Sequence, residues 1–427
     1  MSAYDAIIVG AGVAGLTAGR ALARAGRRVV VLEARDRAGG RAYTDRASFS
    51  RPWDHGCHWI HSAEGNPFTR FADELGFAYA TESRDLGLYV DGARLPPGEQ
   101  EAIETYFDRA WEAVRVAGRE GRDVAVSEVL GAPGVTRGDL TEGVPAAGRD
   151  SLAARFFVAA FTEKVGVEPS AASTLDFASY IWAGKDRPLK DGYGDLVLRA
   201  LAGAPVTLSA PVASIDWSGR RVRVTTPHGV AEAPRVLVTV STGVLAAETI
   251  AFLPRLPGWK MKAVEGIPMG HCLRVGLEFS KDVFGTPDTG VLSAMSSRGV
   301  AMSVEVRPFG WNGATCYFDG VVARRLEREG GGDAAAVSLA REGLREIFGG
   351  GIEAALVSAV ATRWGADPFA RGAYSAALPG RAAERLVLAR SVDDRLFFAG
   401  EATSVEYNGD VHGAYFSGLA AAEAMLA

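Results

Sequence analysis

Residues 6–15 of this 427-residue chain read Ala6-Ile7-Ile8-Val9-Gly10-Ala11-Gly12-Val13-Ala14-Gly15. The apolar run stops at the first glycine, and the residues from Val13 to Ala25 then follow a helical pattern that Gly26 ends. A second β-branched run extends from Arg28 to Leu32. This order predicts a strand, a glycine-rich turn, a helix and a second strand, which together make a Rossmann-like βαβ unit.

The three glycines have separate physical roles in a G-x-G-x-x-G turn. Gly10 permits the tight turn, Gly12 lets the backbone reach a pyrophosphate, and Gly15 allows the helix to pack closely on the strand. The helix N-terminus around Ala14 supplies N–H groups and a positive dipole end for phosphates. Glu33 ends the next strand, where its carboxylate accepts ribose hydroxyls. We therefore predict a dinucleotide site, with a glycine-rich turn that binds no ligand as the alternative.

A second pair of glycines favours FAD over NAD. Glu33 runs directly into Ala34-Arg35-Asp36-Arg37-Ala38-Gly39-Gly40-Arg41, which suggests backbone that approaches a long cofactor. We expect Arg41 near the phosphates or the flavin. Late in the chain, a buried strand predicted at 396–399 leads into Gly400 and Glu401. The Glu401 carboxylate is a candidate for a ribityl hydroxyl, and a helix cap or surface carboxylate is the alternative.

Composition narrows the possible classes of protein. Hydrophobic residues make up 48% of the chain, and 46 Lys+Arg against 51 Asp+Glu give a net charge of -5. We expect two domains and neither nucleic acid nor an anionic membrane as a partner. Cys57, Cys272 and Cys316 lack metal-ligand and redox-motif spacing, so no metal is expected. Without a run of ~18 apolar residues or a basic leader, the sequence predicts a soluble, cytoplasmic protein.

Hydrophobic periodicity predicts further elements along the chain. The predicted helices are 99–117, 151–161, 334–348 and one that begins near Gly413 and ends at 426. The predicted strands are 206–208, 212–217, 222–226, 236–240, 275–279, 301–306 and 315–318. The stretch 131–148, which is rich in glycine and proline, is predicted to be a loop.

Together these residues resemble the flavin-containing amine oxidase family, which includes monoamine oxidases, polyamine oxidases and histone lysine demethylases. The similarity runs nearly end to end and keeps the order of the family's motifs. Besides the motifs above, it is carried by Asp54-His55-Gly56-Cys57-His58-Trp59-Ile60-His61, Val236 to Leu245, Trp364, Arg371 to Ser375, and Val411 to Ala414. The resemblance adds to the expected FAD site Gly56, Trp59, Val212, Trp364, Gly400, Val411 and Ala414.

The resemblance implies an α/β fold in which a Rossmann-like FAD-binding domain is combined with a discontinuous α+β substrate domain. It assigns 1–80, 190–245 and 362–427 to the FAD domain, and 81–189 and 246–361 to the substrate domain. The implied reaction moves hydride from a C–H next to an amine nitrogen to flavin N5. The product is an imine that hydrolyses, and O2 or another acceptor reoxidises the flavin. The amine must be neutral, because its lone pair assists hydride departure.

The residues around His58 bear on the substrate. His58-Trp59-Ile60-His61, followed by Glu64-Gly65-Asn66-Pro67, is most similar to animal-type polyamine oxidases. In those enzymes the first histidine lies at the substrate tunnel beside the flavin. Amino-acid oxidases of the superfamily carry a Met-Arg pair near this point, so the Cys57-His58 pair disfavours an α-amino acid. A packed core histidine is the alternative for His58 and for His61.

Tyr374 matches one wall of the family's aromatic cage, with a packed core tyrosine as the alternative. Ala373 stands where monoamine oxidases carry the cysteine that bonds to FAD, so we predict non-covalent FAD. The opposite cage wall is usually aromatic, but the aligned residue is Asp410. A carboxylate there attracts a cationic amine and also favours its protonated form. A protonated amine resists oxidation unless Asp410 takes the proton. The alternative is that Asp410 accepts a hydrogen bond from a hydroxyl or a backbone N–H.

A second departure lies in Gly270-His271-Cys272-Leu273-Arg274-Val275. The family has a lysine, linked through water to flavin N5, that aids reoxidation by O2, and Arg274 is aligned with it. Arginine is a permanent cation that cannot cycle a proton at neutral pH. The exchange predicts slower use of O2 and another electron acceptor. Binding of a substrate carboxylate or phosphate, and a structural ion pair, are the alternatives for Arg274.

Three functions are compatible with the sequence. The first is an FAD-dependent amine oxidase or dehydrogenase that acts on a polyamine-like or other secondary amine. The second is a flavin-dependent desaturase or dehydrogenase of a non-amine metabolite on the same fold, since fold does not fix function. The third is a catalytically silent FAD-binding protein. Tyr374, Trp364 and His58 argue against the third.

Overall fold

The computed structural model describes residues 2–81, 83–131, 151–286, 288–297, 299–328 and 332–427. The predicted loop at 131–148 lies outside these ranges, except for Gly131, which ends a helix. No helix in the described ranges has both the length and the apolar character needed to cross a membrane.

The helices are numbered here in chain order. They are α1 Val13–Arg24, α2 Pro67–Leu75, α3 Pro97–Arg119, α4 Val126–Gly131, α5 Leu152–Val165, α6 Thr174–Ser179, α7 Tyr193–Ala200, α8 Thr242–Ala246, α9 Gly258–Gly266, α10 Gly320–Arg328, α11 Gly332–Phe348, α12 Gly351–Ala355, α13 Glu384–Ala389 and α14 Val411–Leu426. Two 3-10 turns cover Pro308–Gly310 and Glu401–Thr403.

The strands are numbered in the same way. They are β1 Ser2–Ala3, β2 Ala6–Val9, β3 Val29–Leu32, β4 Thr44–Asp45, β5 Trp53–Asp54, β6 Trp59–Ile60, β7 Arg84–Val90, β8 Ala93–Arg94, β9 Arg187–Pro188, β10 Val206–Thr207, β11 Ser214–Asp216, β12 Val222–Thr226, β13 Gly229–Ala233, β14 Arg235–Val238, β15 Ala251–Leu253, β16 Cys272–Phe279, β17 Gly290–Met295, β18 Ala301–Val306, β19 Gly313–Asp319, β20 Leu356–Ala361 and β21 Leu396–Phe398.

A five-stranded parallel sheet carries the predicted βαβ unit. Its order is β10-β3-β2-β14-β21, and every pair is parallel. Strands β2 and β3 are apolar and buried throughout, as expected where helices or a second layer cover both faces. Because the strands are parallel, their carboxyl ends meet at one edge, where Gly10, Glu33 and Gly400 follow β2, β3 and β21.

A second five-stranded sheet, β1-β13-β12-β11-β15, packs on one face of the parallel sheet through a shared apolar cluster that includes Ile7, Ile215 and Val236. The other face is covered by α1 and α14, which contact one another closely. This arrangement confirms the predicted α/β class with a Rossmann-like FAD fold.

A seven-stranded sheet has the order β20-β16-β19-β18-β17-β7-β8 and is antiparallel except for the β17–β7 pair. Its strands come from residues 84–94 and 272–361. The sequence patterns did not predict β7, β8, β17 or β20. Charged Arg84 and Asp85 open β7, Gly87 interrupts it, and Gly290 begins β17, so local strand propensity is weak there. Hydrogen bonding to strands that are distant in the sequence therefore stabilises these strands where their own strand propensity is weak.

A buried ion pair joins α6 to α13. The Arg385 side chain is completely buried, and its Nε and Nη2 donate to the two carboxylate oxygens of Asp176 at 2.5 and 2.8 Å. Its Nη1 donates to the Ser375 hydroxyl at 2.8 Å and to the Ala402 carbonyl at 3.1 Å. The guanidinium therefore connects a helix from the middle of the chain with two segments from its end.

We predict that Asp176→Asn lowers the free energy of unfolding by about 3–5 kcal/mol, because it leaves a buried guanidinium without its counter-ion. Urea unfolding of the purified protein measures this loss. The matched control is Asp195→Asn, which removes the partner of the largely exposed Arg46 and is expected to cost less than about 1 kcal/mol. Equal losses in the two variants would contradict the prediction.

Candidate active site

One cavity of about 1430 Å³ opens at the carboxyl edge of the parallel sheet and continues to the seven-stranded sheet. It exceeds the roughly 300–1,000 Å³ of an ordinary ligand pocket, so it has room for a dinucleotide and a second molecule. All predicted site residues except Gly15 line it: Gly10, Gly12, Ala14, Glu33, Ala34, Arg35, Gly40, Arg41, Gly56, His58, Trp59, Val212, Arg274, Trp364, Tyr374, Gly400, Glu401, Asp410, Val411 and Ala414. The structure thus brings together segments that span the chain.

Glu33 anchors the glycine-rich turn. One carboxylate oxygen accepts the Ala11 N–H at 2.7 Å, and the other accepts the Arg35 N–H at 3.0 Å. Arg35 is in turn fixed by Asp367, with 2.6 Å between Nη2 and Oδ1. The buried carboxylate still lines the cavity, and a carboxylate in this position suits ribose hydroxyls and repels a 2′-phosphate.

The glycines form a cradle that a dinucleotide fits. A Cβ added to Gly15 would lie 1.9 Å from the Gly10 carbonyl oxygen, so Gly15 permits close packing of α1 beneath the turn. A Cβ added to Gly12 would meet no protein atom within 4 Å, although Gly12 lines the cavity. The space beside Gly12 is therefore open for a ligand, as expected where backbone approaches a pyrophosphate.

A second helix N-terminus faces the same cavity. The helix α14 begins at Val411, two residues earlier than predicted, and Asp410 is its N-cap residue without a side-chain capping bond. Both Val411 and Ala414 line the cavity. The buried His412 Nε2 has no hydrogen-bond partner among the described residues. With α1, this end gives the cavity two positive helix termini, which suits an anionic cofactor.

Glu401 is buried and fully engaged by the protein. Its Oε1 accepts bonds from Arg41 Nη1 at 3.1 Å and the Ser375 N–H at 3.2 Å. Its Oε2 accepts bonds from the Ser375 hydroxyl at 2.7 Å and the Gly409 N–H at 2.9 Å. Burial raises the pKa of Glu401, but Arg41 and Arg385 outweigh it and lower the pKa overall. The carboxylate therefore stays charged and positions Arg41, which also donates to the Ala373 carbonyl at 2.6 Å.

Arg274 lies at 4% exposure between the nucleotide edge and the seven-stranded sheet. Its Nη1 donates to the carbonyls of Asp54 and Gly56 at 2.6 and 2.5 Å, and its Nη2 donates to the Tyr317 hydroxyl at 3.3 Å. Its Nε has no partner among the described residues. These acceptors are neutral, so Arg274 forms no close ion pair within the described part of the chain, and its guanidinium fixes the Gly56 backbone.

His58 belongs to a polar network on the cavity wall. Its Nε2 lies 2.7 Å from the Tyr317 hydroxyl and 3.8 Å from Glu305 Oε2. Burial and the nearby Arg274 lower the pKa of His58 well below its ordinary value, so the ring is neutral at neutral pH. Burial also raises the pKa of Glu305.

Tyr374 and Asp410 both face the cavity, but each has a protein partner. The Tyr374 hydroxyl donates to the Glu163 carbonyl at 2.5 Å, which fixes the ring. Asp410 Oδ2 accepts a bond from the Tyr180 hydroxyl, so the alternative in which Asp410 bonds a hydroxyl describes the structure. Tyr180 brings its own aromatic ring to this wall, at 4.4 Å between centroids from Trp182.

Trp364 and Trp59 complete the wall around Gly56. Trp364 Nε1 donates to the His55 carbonyl at 2.9 Å, and its ring lies against Gly56. Trp59 is in β6, which pairs with β9. Residues 160–186, which carry no site motif in the sequence, also contribute to the wall: Glu163, Lys164, Tyr180, Trp182 and Asp186 all line the cavity. Tyr180, Trp182 and Asp186 lie outside helices and strands, so no periodic pattern in the sequence marks them.

We predict that Gly12→Ala retains the thermal stability of the protein but raises the Kd for FAD at least about tenfold, because the new methyl group enters the ligand space. Titration of FAD into apoprotein measures the Kd. The paired variant Gly15→Ala introduces a clash with Gly10 and is expected to cost about 1–3 kcal/mol of stability. A Gly12→Ala variant that binds FAD as tightly as the parent contradicts this assignment.

Comparisons with known proteins agree with the geometry of the cavity. The chain matches the family described as flavin containing amine oxidoreductase over residues 13–426. It is 30% identical over 438 residues to polyamine oxidase 2 of Arabidopsis thaliana and 28% identical over 440 residues to polyamine oxidase 4 of Oryza sativa subsp. japonica. Each alignment covers 98% of this chain and 87% of the relative.

Among solved structures, a double mutant of putrescine oxidase with redesigned cofactor binding superposes with a TM-score of 0.76 at 20% identity. The match covers 100% of this chain and 99% of that one, and it shows a shared fold. The chain therefore belongs to the flavin-containing amine oxidoreductase family and is an FAD-dependent enzyme that oxidises amines.

Proposed function

We propose that this enzyme oxidises a polyamine-like secondary amine with non-covalently bound FAD. One observation carries the proposal: the cavity joins the dinucleotide-binding edge of the parallel sheet to a wall that bears the carboxylates of Glu163, Asp186 and Asp410. Those groups suit a substrate with more than one positive charge. The polyamine oxidase relatives support this choice.

The residues at the sheet edge suit the adenosine and pyrophosphate of FAD, with Glu33 at the ribose and Gly12 and Ala14 at the phosphates. When bound, FAD supplies the ring that accepts hydride from the C–H next to the amine nitrogen. Ala373 has no nucleophile, and its carbonyl accepts a bond from Arg41, which supports non-covalent binding. Glu401 has its carboxylate oxygens engaged within the protein, so we assign it a positioning role at the cofactor.

The chain's own side chains orient the amine. Tyr374 is held by the Glu163 carbonyl and presents one fixed aromatic wall, and the Tyr180 ring, held by Asp410, provides another. Two aromatic side chains with fixed positions favour a single orientation of the substrate between them. Asp410 attracts the cationic substrate, while its bond to Tyr180 keeps the carboxylate in place.

We also propose the division into an FAD domain of 1–80, 190–245 and 362–427 and a substrate domain of 81–189 and 246–361. The strands of the parallel sheet fall in the first set, and those of the seven-stranded sheet fall in the second.

A cytoplasmic location without a nucleic-acid partner is supported by the balanced charge and by three free cysteines, Cys57, Cys272 and Cys316.

The proposal is tested by mixing the FAD-loaded enzyme anaerobically with spermidine, putrescine, benzylamine and alanine and following the flavin absorbance. We expect spermidine to bleach the flavin fastest and alanine not to bleach it, because the cavity offers carboxylates to a polycation. Faster bleaching by benzylamine would contradict the polyamine class. Bleaching only by non-amine metabolites would favour the desaturase function instead.

Arg274 leads to a separate prediction about the electron acceptor. We expect Arg274→Lys to increase the rate of flavin reoxidation by O2 about tenfold, because lysine can exchange a proton where arginine cannot. Mixing the reduced enzyme with oxygenated buffer measures this rate. Arg221→Lys is the control, since Arg221 also donates to two carbonyls, those of Tyr4 and Glu232, and does not line the cavity. Reoxidation that is no faster in Arg274→Lys would contradict the prediction.

A further inference from the structure

We infer that His61 and Asp186 form a dyad that removes a proton from the substrate ammonium before the C–H bond is oxidised. The inference rests on the proposed amine substrate and assigns a catalytic residue to the step that makes the amine reactive. An aliphatic amine has a pKa of about 10, so it enters the cavity as a cation without a free lone pair. A basic group in the cavity must therefore accept that proton.

The sheet topology places the two residues side by side. Strands β6 and β9 pair antiparallel, with Ile60 opposite Arg187, so the next residue of one strand and the preceding residue of the other become neighbours. His61 Nδ1 lies 2.9 Å from Asp186 Oδ2. Asp186 Oδ1 accepts the Ser62 N–H at 2.9 Å, which fixes the carboxylate. The backbone therefore fixes Asp186, and Asp186 in turn holds the His61 ring.

The dyad is directed at the cavity. His61 and Asp186 both line it, and 41% of the His61 side chain and 32% of the Asp186 side chain are exposed. Asp186 engages Nδ1, which leaves Nε2 on the other side of the ring for a ligand. A carboxylate at Nδ1 favours the tautomer with the proton on that nitrogen, so Nε2 carries the lone pair that accepts a proton.

Charged and titratable groups surround His61 from several elements. Asp410 approaches from the N-cap of α14, Lys164 from α5, and His58 and His412 from the cavity wall. Burial lowers the pKa of His61, but Asp410 and Asp186 outweigh burial and raise the pKa above its ordinary value, against a smaller opposing effect of Lys164. The ring is therefore a stronger base than a free histidine.

The proposed step is a single proton transfer. The N–H bond of the substrate ammonium breaks, an N–H bond forms at His61 Nε2, and the electron pair returns to the substrate nitrogen. Asp186 stabilises the imidazolium that results. The neutral amine can then lose hydride to the flavin, and His61 releases its proton to solvent through the open side of the cavity.

The test compares His61→Gln with the parent and with His228→Gln, a control in which an exposed histidine is replaced in a turn outside the cavity. The rate of anaerobic flavin bleaching by spermidine is measured from about pH 6 to about pH 10. We expect His61→Gln to lower the rate at pH 7 about 10²-fold or more. The rates should converge near pH 10, where water deprotonates the amine without help from the protein.

Two outcomes would overturn the inference. One is a His61→Gln profile parallel to that of the parent over the whole pH range, which leaves the proposed function intact. The other is a His61 pKa, measured by NMR of the ring protons in the parent, that Asp186→Asn does not lower. If spermidine and the other amines fail to bleach the parent, the proposed function fails, and the dyad fails with it.

Discussion

The shape of the cavity depends on the hydrogen bonds and the ion pair that the buried carboxylate of Glu401 forms. Glu401 lies just beyond the edge strand β21 of the parallel sheet and accepts bonds from Arg41, Ser375 and the backbone of Gly409. Ser375 also receives a bond from Arg385, which is paired with Asp176. This network of two ion pairs linked through Ser375 joins the second glycine turn, the segment that carries Tyr374, and helix α6. Since each of these segments supplies part of the cavity wall, the shape of the site follows from the network.

The nucleotide half of the site could be predicted from the sequence because its determinants are local. Gly10, Gly12 and Glu33 lie within one βαβ unit, where turn chemistry and periodicity fix their roles. The substrate half could not be predicted in the same way. Asp186 reaches His61 only through the β6–β9 pairing, and Tyr180 reaches Asp410 across 230 positions of sequence. The seven-stranded sheet likewise depends on long-range pairing that compensates for weak strand propensity in β7.

Arg274 and Asp410, which the sequence comparison singled out as departures from the expected motif, each have defined partners in the structure. Arg274 binds the carbonyls of Asp54 and Gly56, so the guanidinium holds the loop between the nucleotide site and the substrate wall. Asp410 accepts a bond from the Tyr180 hydroxyl, so the Tyr180 ring adds aromatic surface to the cavity wall beside this carboxylate.

The most direct measurement is a crystal structure of the FAD-loaded enzyme, reduced and bound to a spermidine analogue. We expect the adenosine ribose at Glu33, the pyrophosphate at Gly12, and the amine nitrogen within hydrogen-bond distance of His61 Nε2 beside Tyr374. FAD bound in the opposite direction, or an amine bound away from the wall formed by Tyr374 and Asp410, would contradict this expectation.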